Sequence, residues 1–462
     1  MKPGVKQYAA WGLAGLAAVF LVWLIIACWI PVMRLETIKN QAFAGGYATP
    51  PRNEDTGWVE ARQSDGVAPE YFPLASDVLT GTCYPTAPSK RFDVGVEQNG
   101  FRELYHRQYP GRNVFTPAGL NFEHIFTGRI ADESRNHFSP RKEACILRVL
   151  RANSVSLFWP AETSAWGVAS EMTYTMAGGP CLDMTFRTAL RKTPESDYLV
   201  YMWASYLNET RGHYVHFWGV RDIHRFTGAY YKGNIQWVRF GERPRSMAKH
   251  EDAVVPYLGV PDLEYDEEAL SRVNLNILDP CAFLLPFFYG LVDGDGDPGT
   301  TGDDMVYLMM FDEAAPLRFV MFDFTSKVNA PVWDWQYVIH RPRPDVTYQY
   351  RARFIYKPFA GTEDVVKEYV SWLKGLEAPR HELRIAVEPK EGGEIFPSGL
   401  DGMYGDGVRI YFGVNPAQGW EFDHWEGAVD DVKRRYTGIK MDGTEDLRAV
   451  CRPSRLLRGC GG

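Results

Sequence analysis

Glu123 and His124, side by side in Asn121-Phe122-Glu123-His124, are the first pair in this chain with the chemistry to move a proton. A carboxylate beside an imidazole acts as general acid and base when the fold presents both to one substrate; the bland alternative is a pair of surface residues near a turn. Glu171 and Asp183 add two carboxylates on segments that Ala177-Gly178-Gly179-Pro180 would join as a hairpin. Their polar sides, with Trp166 and Arg187, would then line one cleft. His216 is the fifth candidate catalytic residue. It stands three residues after His213, and on a strand that spacing puts the two rings on opposite faces and argues against a shared metal.

Binding chemistry is suggested by aromatic strands. Trp333-Asp334-Trp335-Gln336-Tyr337 runs on to His340, and Trp218 follows His216 and Phe217. Indole and phenol rings present flat apolar faces with a polar handle. Such rings suit the apolar faces of sugars, while neighbouring Asp, Gln, Arg and His bond hydroxyls. Trp166, Arg187, Trp218, Trp333, Trp335 and His340 are therefore the candidate ligand-binding residues, against the competing use of the same aromatics as core. A metal candidate is Asp293-Gly294-Asp295-Gly296-Asp297 with Asp304, whose carboxylates fall at positions 1, 3, 5 and 12 of an EF-type calcium loop. Pro298 occupies the sixth position, where that loop needs glycine, so calcium there would be structural and not of EF-hand geometry. No GxxxxGK, GxGxxG, HExxH or GxSxG signature is present, which removes the common nucleotide and hydrolase readings.

The chain has 462 residues, 45% hydrophobic and 14% aromatic, enough for two or three domains with a sizeable core. A net charge of -8 argues against a nucleic-acid surface, which needs a basic patch or stripe. From Tyr8 to Ile30 no charge interrupts an apolar run behind Lys2 and Lys6. As a helix at ~1.5 Å per residue it covers about 34 Å, enough for the hydrocarbon core of a bilayer. Residues 1–33 are thus read as a membrane anchor or signal segment, a single pass with the basic head in the cytoplasm and the C-terminal bulk exported to periplasm or cell surface. Cleavage as a signal peptide is one alternative. Lipidation of Cys28 after Ile25-Ile26-Ala27 is the other, because that tetrad resembles a bacterial lipobox. The six remaining cysteines show no zinc spacing and do not select a disulfide pairing.

The elements that must position these residues are mainly strands. Residues 34–73, rich in Gly, Pro, Asn and Asp, read as a tether. From 74 to 378, period-two alternation recurs between Gly, Pro, Asn and Asp turns, as in Leu182, Met184 and Phe186 or Tyr348, Tyr350, Ala352 and Phe354. The expectation is a large antiparallel β-sandwich, with strands such as 145–150, 155–159, 198–207, 305–311, 317–324 and 333–339. Helices are expected only around Asp262 to Leu270 and over Glu363 to Leu376, the latter with Thr362 as its cap. In size and strand density the region looks like the supersandwich of the galactose-mutarotase type, with no motif to pin it there.

Residues 382–453 carry Leu383, Ile385 and Val387 in alternation, then Glu388-Pro389, Gly392-Gly393, Pro397-Ser398-Gly399, Tyr404-Gly405-Asp406-Gly407, Phe422 and Trp425, closing at Leu447 to Cys451. This small β-rich domain resembles the divergent InlB B-repeat family of bacterial surface proteins. The resemblance implies an extracellular module, here a single copy suited to spacing or accessory contacts. Residues 454–462 form a tail. The functional expectation is a membrane-anchored envelope protein whose sandwich binds glycan or another surface polymer. A carbohydrate-active lyase, epimerase or glycosidase is the alternative, and a structural spacer the second.

Overall fold

The computed structural model describes residues 36–39, 47–63, 69–86, 99–127, 139–241 apart from 193, 195, 228 and 229, then 254–260, 263, 281–322 apart from 298, 331–376 and 380–454. Alternation drives the architecture. In Cys181–Leu190, Leu182, Met184 and Phe186 are buried while Asp183, Thr185 and Arg187 are half-buried, and Thr347–Pro358 beside it repeats the pattern with Tyr348, Tyr350, Ala352 and Phe354 inward. One apolar face per strand requires a second sheet to cover it.

The first sheet has eleven strands, in the order Glu36–Lys39, Tyr230–Phe240, Val215–Thr227, Phe287–Val292, Met305–Phe311, Thr347–Pro358, Cys181–Leu190, Val168–Gly178, Ser154–Trp159 and Ile146–Arg151, with Ala282–Phe283 paired to Val215–Thr227. The second has nine: Val254–Pro256, Leu317–Phe322, Val332–His340, Tyr198–Leu207, Phe115–Phe126, Gly100–His106, Leu79–Tyr84 and Phe72–Ala75, with Tyr109–Asn113 paired to Gly100–His106. Neighbouring strands run antiparallel, as the sequence alternation implied. On the inner face of the nine-stranded sheet Phe122 stacks on Trp203 at 4.8 Å and Trp203 on Trp335 at 6.2 Å, and across the gap Phe101 meets Tyr174 of the other sheet at 5.0 Å. The hairpin through Gly178 and Gly179 forms as expected.

Residues 47–63, read as tether, instead lie on the sandwich. Thr49 Oγ1 donates to the Val338 carbonyl and accepts from the His340 amide, both at 3.0 Å. The helix Gly57–Gln63 buries Val59, and Trp58 Nε1 donates to Thr347 Oγ1 at 2.8 Å. Turn-forming composition marked irregular backbone there, which is not the same as solvation. The helix Thr362–Lys374 is present and buries Val365, Val366, Tyr369, Val370, Trp372 and Leu373. Its cap is Gly361 and not Thr362.

The C-terminal residues form two small sheets, Gly402–Gly405, Arg380–Glu388, Glu445–Pro453 and Trp420–Glu426 in one and Gly393–Phe396, Arg409–Pro416 and Tyr436–Lys440 in the other. Trp425 and Phe412 meet at 5.1 Å in their core. This unit docks on the eleven-stranded sheet: Trp218 Nε1 donates to the Tyr411 carbonyl at 2.9 Å, and the Trp218 ring meets Phe396 at 4.9 Å. Cys83, Cys145, Cys181 and Cys451 are free thiols. Among the described residues no helix is long and apolar enough to cross a membrane. Tyr8 to Ile30 with Cys28, and the expected helix of 262–270 apart from Leu263, lie outside the described residues.

Candidate functional site

A one-residue bulge brings Glu123 and His124 together. Phe122 stands opposite Trp203 and His124 opposite Met202, leaving Glu123 as the extra residue. Strict alternation would send the two side chains to opposite faces. The bulge turns both outward from the core, and His124 Nε2 lies 3.4 Å from Glu123 Oε1. Arg141, on the short turn of helix Ser139–Lys142, places Nη1 2.7 Å from Glu123 Oε1 and donates through Nε to Asn121 Oδ1 at 2.9 Å and through Nη2 to the Tyr206 hydroxyl at 3.0 Å. The Tyr206 hydroxyl in turn donates to Glu123, 3.1 Å from Oε1.

Strand register extends this polar stripe across the nine-stranded sheet. His124 faces Met202, Met202 faces Gln336 and Gln336 faces Arg318. Asp334, one step along on the same face as Gln336, accepts the Ser205 amide at Oδ1 at 2.9 Å. It lies two strand spacings from Glu123, about 10 Å. None of Asn121, Glu123, His124, Arg141, Tyr206, Arg318, Asp334, Gln336 and His340 exceeds 8% exposure, so the stripe is interior and not a turn-side surface.

The two carboxyls ionise differently. Burial raises Glu123, but Arg141, His124 and Tyr206 together outweigh it and hold the group below the usual carboxylate range. Burial first, and the negative Glu123 second, push Asp334 well above that range. Burial and charge thus push the two carboxyls apart, Glu123 down and Asp334 up, the pattern that separates an acid from a base. His340, at the far end of the same strand about 20 Å from Asp334, is pushed down to about 3 by burial and by Arg318 and Arg341.

The other nominated residues are elsewhere. Glu171 is fully buried on the eleven-stranded sheet, where Arg187 Nε donates to Oε2 at 2.6 Å with its guanidinium 4.3 Å over Trp58. Asp183 accepts from Arg353 at 2.6 and 2.8 Å. His216 stacks on Tyr289 at 4.8 Å. The five catalytic candidates therefore divide between the two sheets and share no cleft. The aromatic candidates are corrected too. Trp333 and Trp335 are wholly enclosed, with Nε1 donating to the His213 carbonyl at 2.9 Å and to the Tyr350 hydroxyl at 2.8 Å. Trp218 is glue for the C-terminal unit, and Trp166 packs against the sandwich core. In the Val332–His340 strand alternation aims the indoles at the opposing sheet and leaves Asp334 and Gln336 on the other face.

In the acidic loop, Asp293, Asp295 and Asp303 converge within 4.8 Å; Asp297 and Asp304 do not join that cluster. Arg211 occupies the centre of charge, donating to Asp293 at 3.0 Å and to Asp303 and Asp304 at 2.6 Å each. Four further oxygens accept loop amides: Asp293 Oδ1 from Gly296 at 2.8 Å, Asp295 Oδ1 from Asp297 at 2.7 Å, Asp297 Oδ1 from Gly299 at 2.9 Å and Asp303 Oδ2 from Asp295 at 3.1 Å. A donor set already holding a guanidinium and its own amides does not fit a calcium cage, which needs six to eight oxygens on the ion.

Where the C-terminal unit meets the sandwich, a cavity of about 890 Å³ opens. Its walls come from distant stretches, among them Tyr47 to Arg52, Leu284 to Pro286, Asp312 to Pro316, the end of helix Thr362–Lys374 with Arg380, and the turn Gly405 to Arg409. Gly407, at φ 75°, makes that turn in a backbone conformation that favours glycine, and its amide bonds the Met441 carbonyl at 2.6 Å. Tyr47, Tyr257, Tyr369 and Tyr411 line the space. Burial pushes Asp312 up to about 6; burial and then the Asp312 charge push Glu313 up to about 8. Sequence reasoning missed Arg141, Tyr206, Asp312 and Glu313. The last two carried one signal, a carboxyl pair ending the apolar strand Met305–Phe311.

No family model matches the chain, and no curated protein matches it by sequence. Several solved structures are similar in architecture. The GalM/aldose epimerase homologue from C. elegans is 11% identical over 63% of this chain and 99% of its own, with a TM-score of 0.34. The alpha-N-acetylgalactosaminidase NagBb from Bifidobacterium bifidum is 12% identical over 65% of this chain and 38% of its own, with a TM-score of 0.35. Heparan sulfate lyase HepC from Pedobacter heparinus is 11% identical over 67% of this chain and 40% of its own, with a TM-score of 0.28. Scores of this size carry no functional argument, which must come from the chain's own side chains.

Proposed function

We propose that this protein is an envelope protein, exported and held at the membrane by its N-terminal apolar segment, that binds glycan in the cleft between sandwich and C-terminal unit. The observation that carries the reading is the cleft itself: about 890 Å³, walled by tyrosines and by side chains that donate and accept hydrogen bonds. A cavity of that size with a few convergent polar groups is the ordinary form of a small-molecule site. Binding thus moves from the tryptophan strands, which are spent on the core, to a junction that two parts of the chain build together. The test is retention of the full chain on a glycan array, beside an Ala314→Trp variant that fills the cleft. Retention that disappears on filling, with an unchanged melting temperature, supports the site. No retention by any glycan, or retention indifferent to filling, sinks it.

A second reading is favoured by one observation, two carboxyls on one sheet face whose surroundings push Asp334 toward its protonated form and Glu123 toward its ionised one. Those are the states a sugar-directed acid and base require, and general acid–base groups of this kind contribute about 10²–10⁴ in rate. If the chain turns over aryl glycosides or speeds sugar mutarotation, Asp334→Asn removes a factor of that order. Turnover unchanged by the substitution excludes the network from catalysis.

A further inference from the structure

The charges of the cleft do not cancel. Five cations border it, Arg52, Arg351, Arg380, Arg409 and Lys440, against the carboxyls of Asp312, Glu313 and Asp406. Two of these are already spent: Arg409 pairs with Asp430, and Asp406 Oδ1 lies 2.9 Å from His381 Nε2. Asp312 gives one oxygen to a backbone amide, that of Arg351 at 2.8 Å. Among the described residues Arg52, Arg351 and Lys440 have no carboxylate within ion-pair distance, and Arg380 has a buried Nη1 without a hydrogen-bond partner. Four cations without a carboxylate at ion-pair distance face two carboxyls, and burial with the Asp312 charge pushes Glu313 up to about 8, toward the protonated form that can donate.

We propose that the occupant of this cleft is an acidic saccharide, a sugar or short glycan end carrying a carboxylate, with the guanidinium groups of Arg351 and Arg380 on its anionic group and Asp312 and Glu313 on its hydroxyls. A planar guanidinium fork matches a carboxylate with two parallel hydrogen bonds. A buried, unpaired N–H on Arg380 is costly to leave unmade, and an incoming carboxylate oxygen satisfies it. Tyrosine walls give the ring carbons an apolar surface. The proposal rests on the reading of the cleft as a glycan site and specifies which class of glycan.

The test is calorimetric titration of the full-length chain at pH 7 with D-glucuronate and, in parallel, with D-glucose. Glucuronate is expected to bind at least about tenfold more tightly, the size of one lost charge-assisted contact. Arg351→Gln is expected to erase that preference. Arg52→Gln, at an exposed position where folding is not at stake, is expected to reduce it, and Ala314→Trp to abolish binding of both sugars. Equal binding of the two sugars overturns the acidic preference and leaves the glycan site standing. Binding of glucuronate that survives both Arg351→Gln and Arg380→Gln undiminished overturns the assignment of the two arginines. No binding of either sugar overturns the proposal.

Discussion

Asp334 and Glu123 sit on one sheet face with opposite responses to pH. An Asp near 3.9 in the unfolded chain whose carboxyl is raised on folding leaves the native state holding the extra proton. Its contribution to stability therefore falls as pH climbs from about 4 toward the folded value. Asp334→Asn keeps the acceptor for Ser205 and removes that loss. The expected outcome is a melting temperature above wild type by on the order of 2 °C at pH 7.5 and by less at pH 4.5; a gain that is equal at both values, or a fall, contradicts the protonated state. Glu123 runs the other way, its stabilisation present above the ordinary glutamate range and lost as pH falls through its depressed value. Arg141→Met strands the Glu123 charge in the interior and is expected to cost about 3–5 kcal/mol by urea unfolding.

Strands and loops place these groups, and each element has its own test. Glu123 and His124 share a face only through the bulge, which no spacing rule announces, since adjacent strand residues ordinarily point apart. In the acidic loop Arg211 provides the positive charge that the spacing alone assigned to calcium. Melting of the wild-type chain is expected to be the same in chelator and in millimolar calcium. Arg211→Ala, which leaves Asp293, Asp303 and Asp304 facing one another, is expected to melt lower and to recover with added calcium. A wild-type shift of several degrees on chelation would restore the calcium-loop reading.

At the scale of the whole molecule, the C-terminal unit is part of the sandwich's packing. Trp218→Ala removes the indole that bonds Tyr411 and touches Phe396 and is expected to cost about 3–5 kcal/mol, with protease digesting the C-terminal unit before the sandwich. Uniform cleavage of both parts, or none, would show that the docking is held elsewhere. The N-terminal segment is tested apart from the fold. Full-length chain is expected in the carbonate-resistant membrane fraction, and deletion of residues 1–33 is expected to release it. Membrane retention after that deletion removes the anchor reading, and palmitate incorporation that Cys28→Ser abolishes would choose lipidation over a bare span.

What the residues settle locally was readable before folding. Period-two alternation located strands such as Cys181–Leu190, whose one buried face leaves a signature in every second position, and continuous apolar runs located Tyr198–Leu207 and Met305–Phe311 to the residue, because both faces of those strands are buried. The helical stripe of Val365 to Leu373 was equally plain. Asp334 and Gln336 were visible as the polar face of the Trp333 and Trp335 strand, yet which face meets the other sheet is a matter of pairing and not of pattern. Everything that joins distant stretches waited for the tertiary structure. Glu123 meets Arg141 and Tyr206 across separate elements, and the cleft draws its walls from residues as far apart as Tyr47 and Lys440. Such groups converge only when the sheets close and the C-terminal unit docks, since burial and charge there depend on neighbours that lie hundreds of positions away.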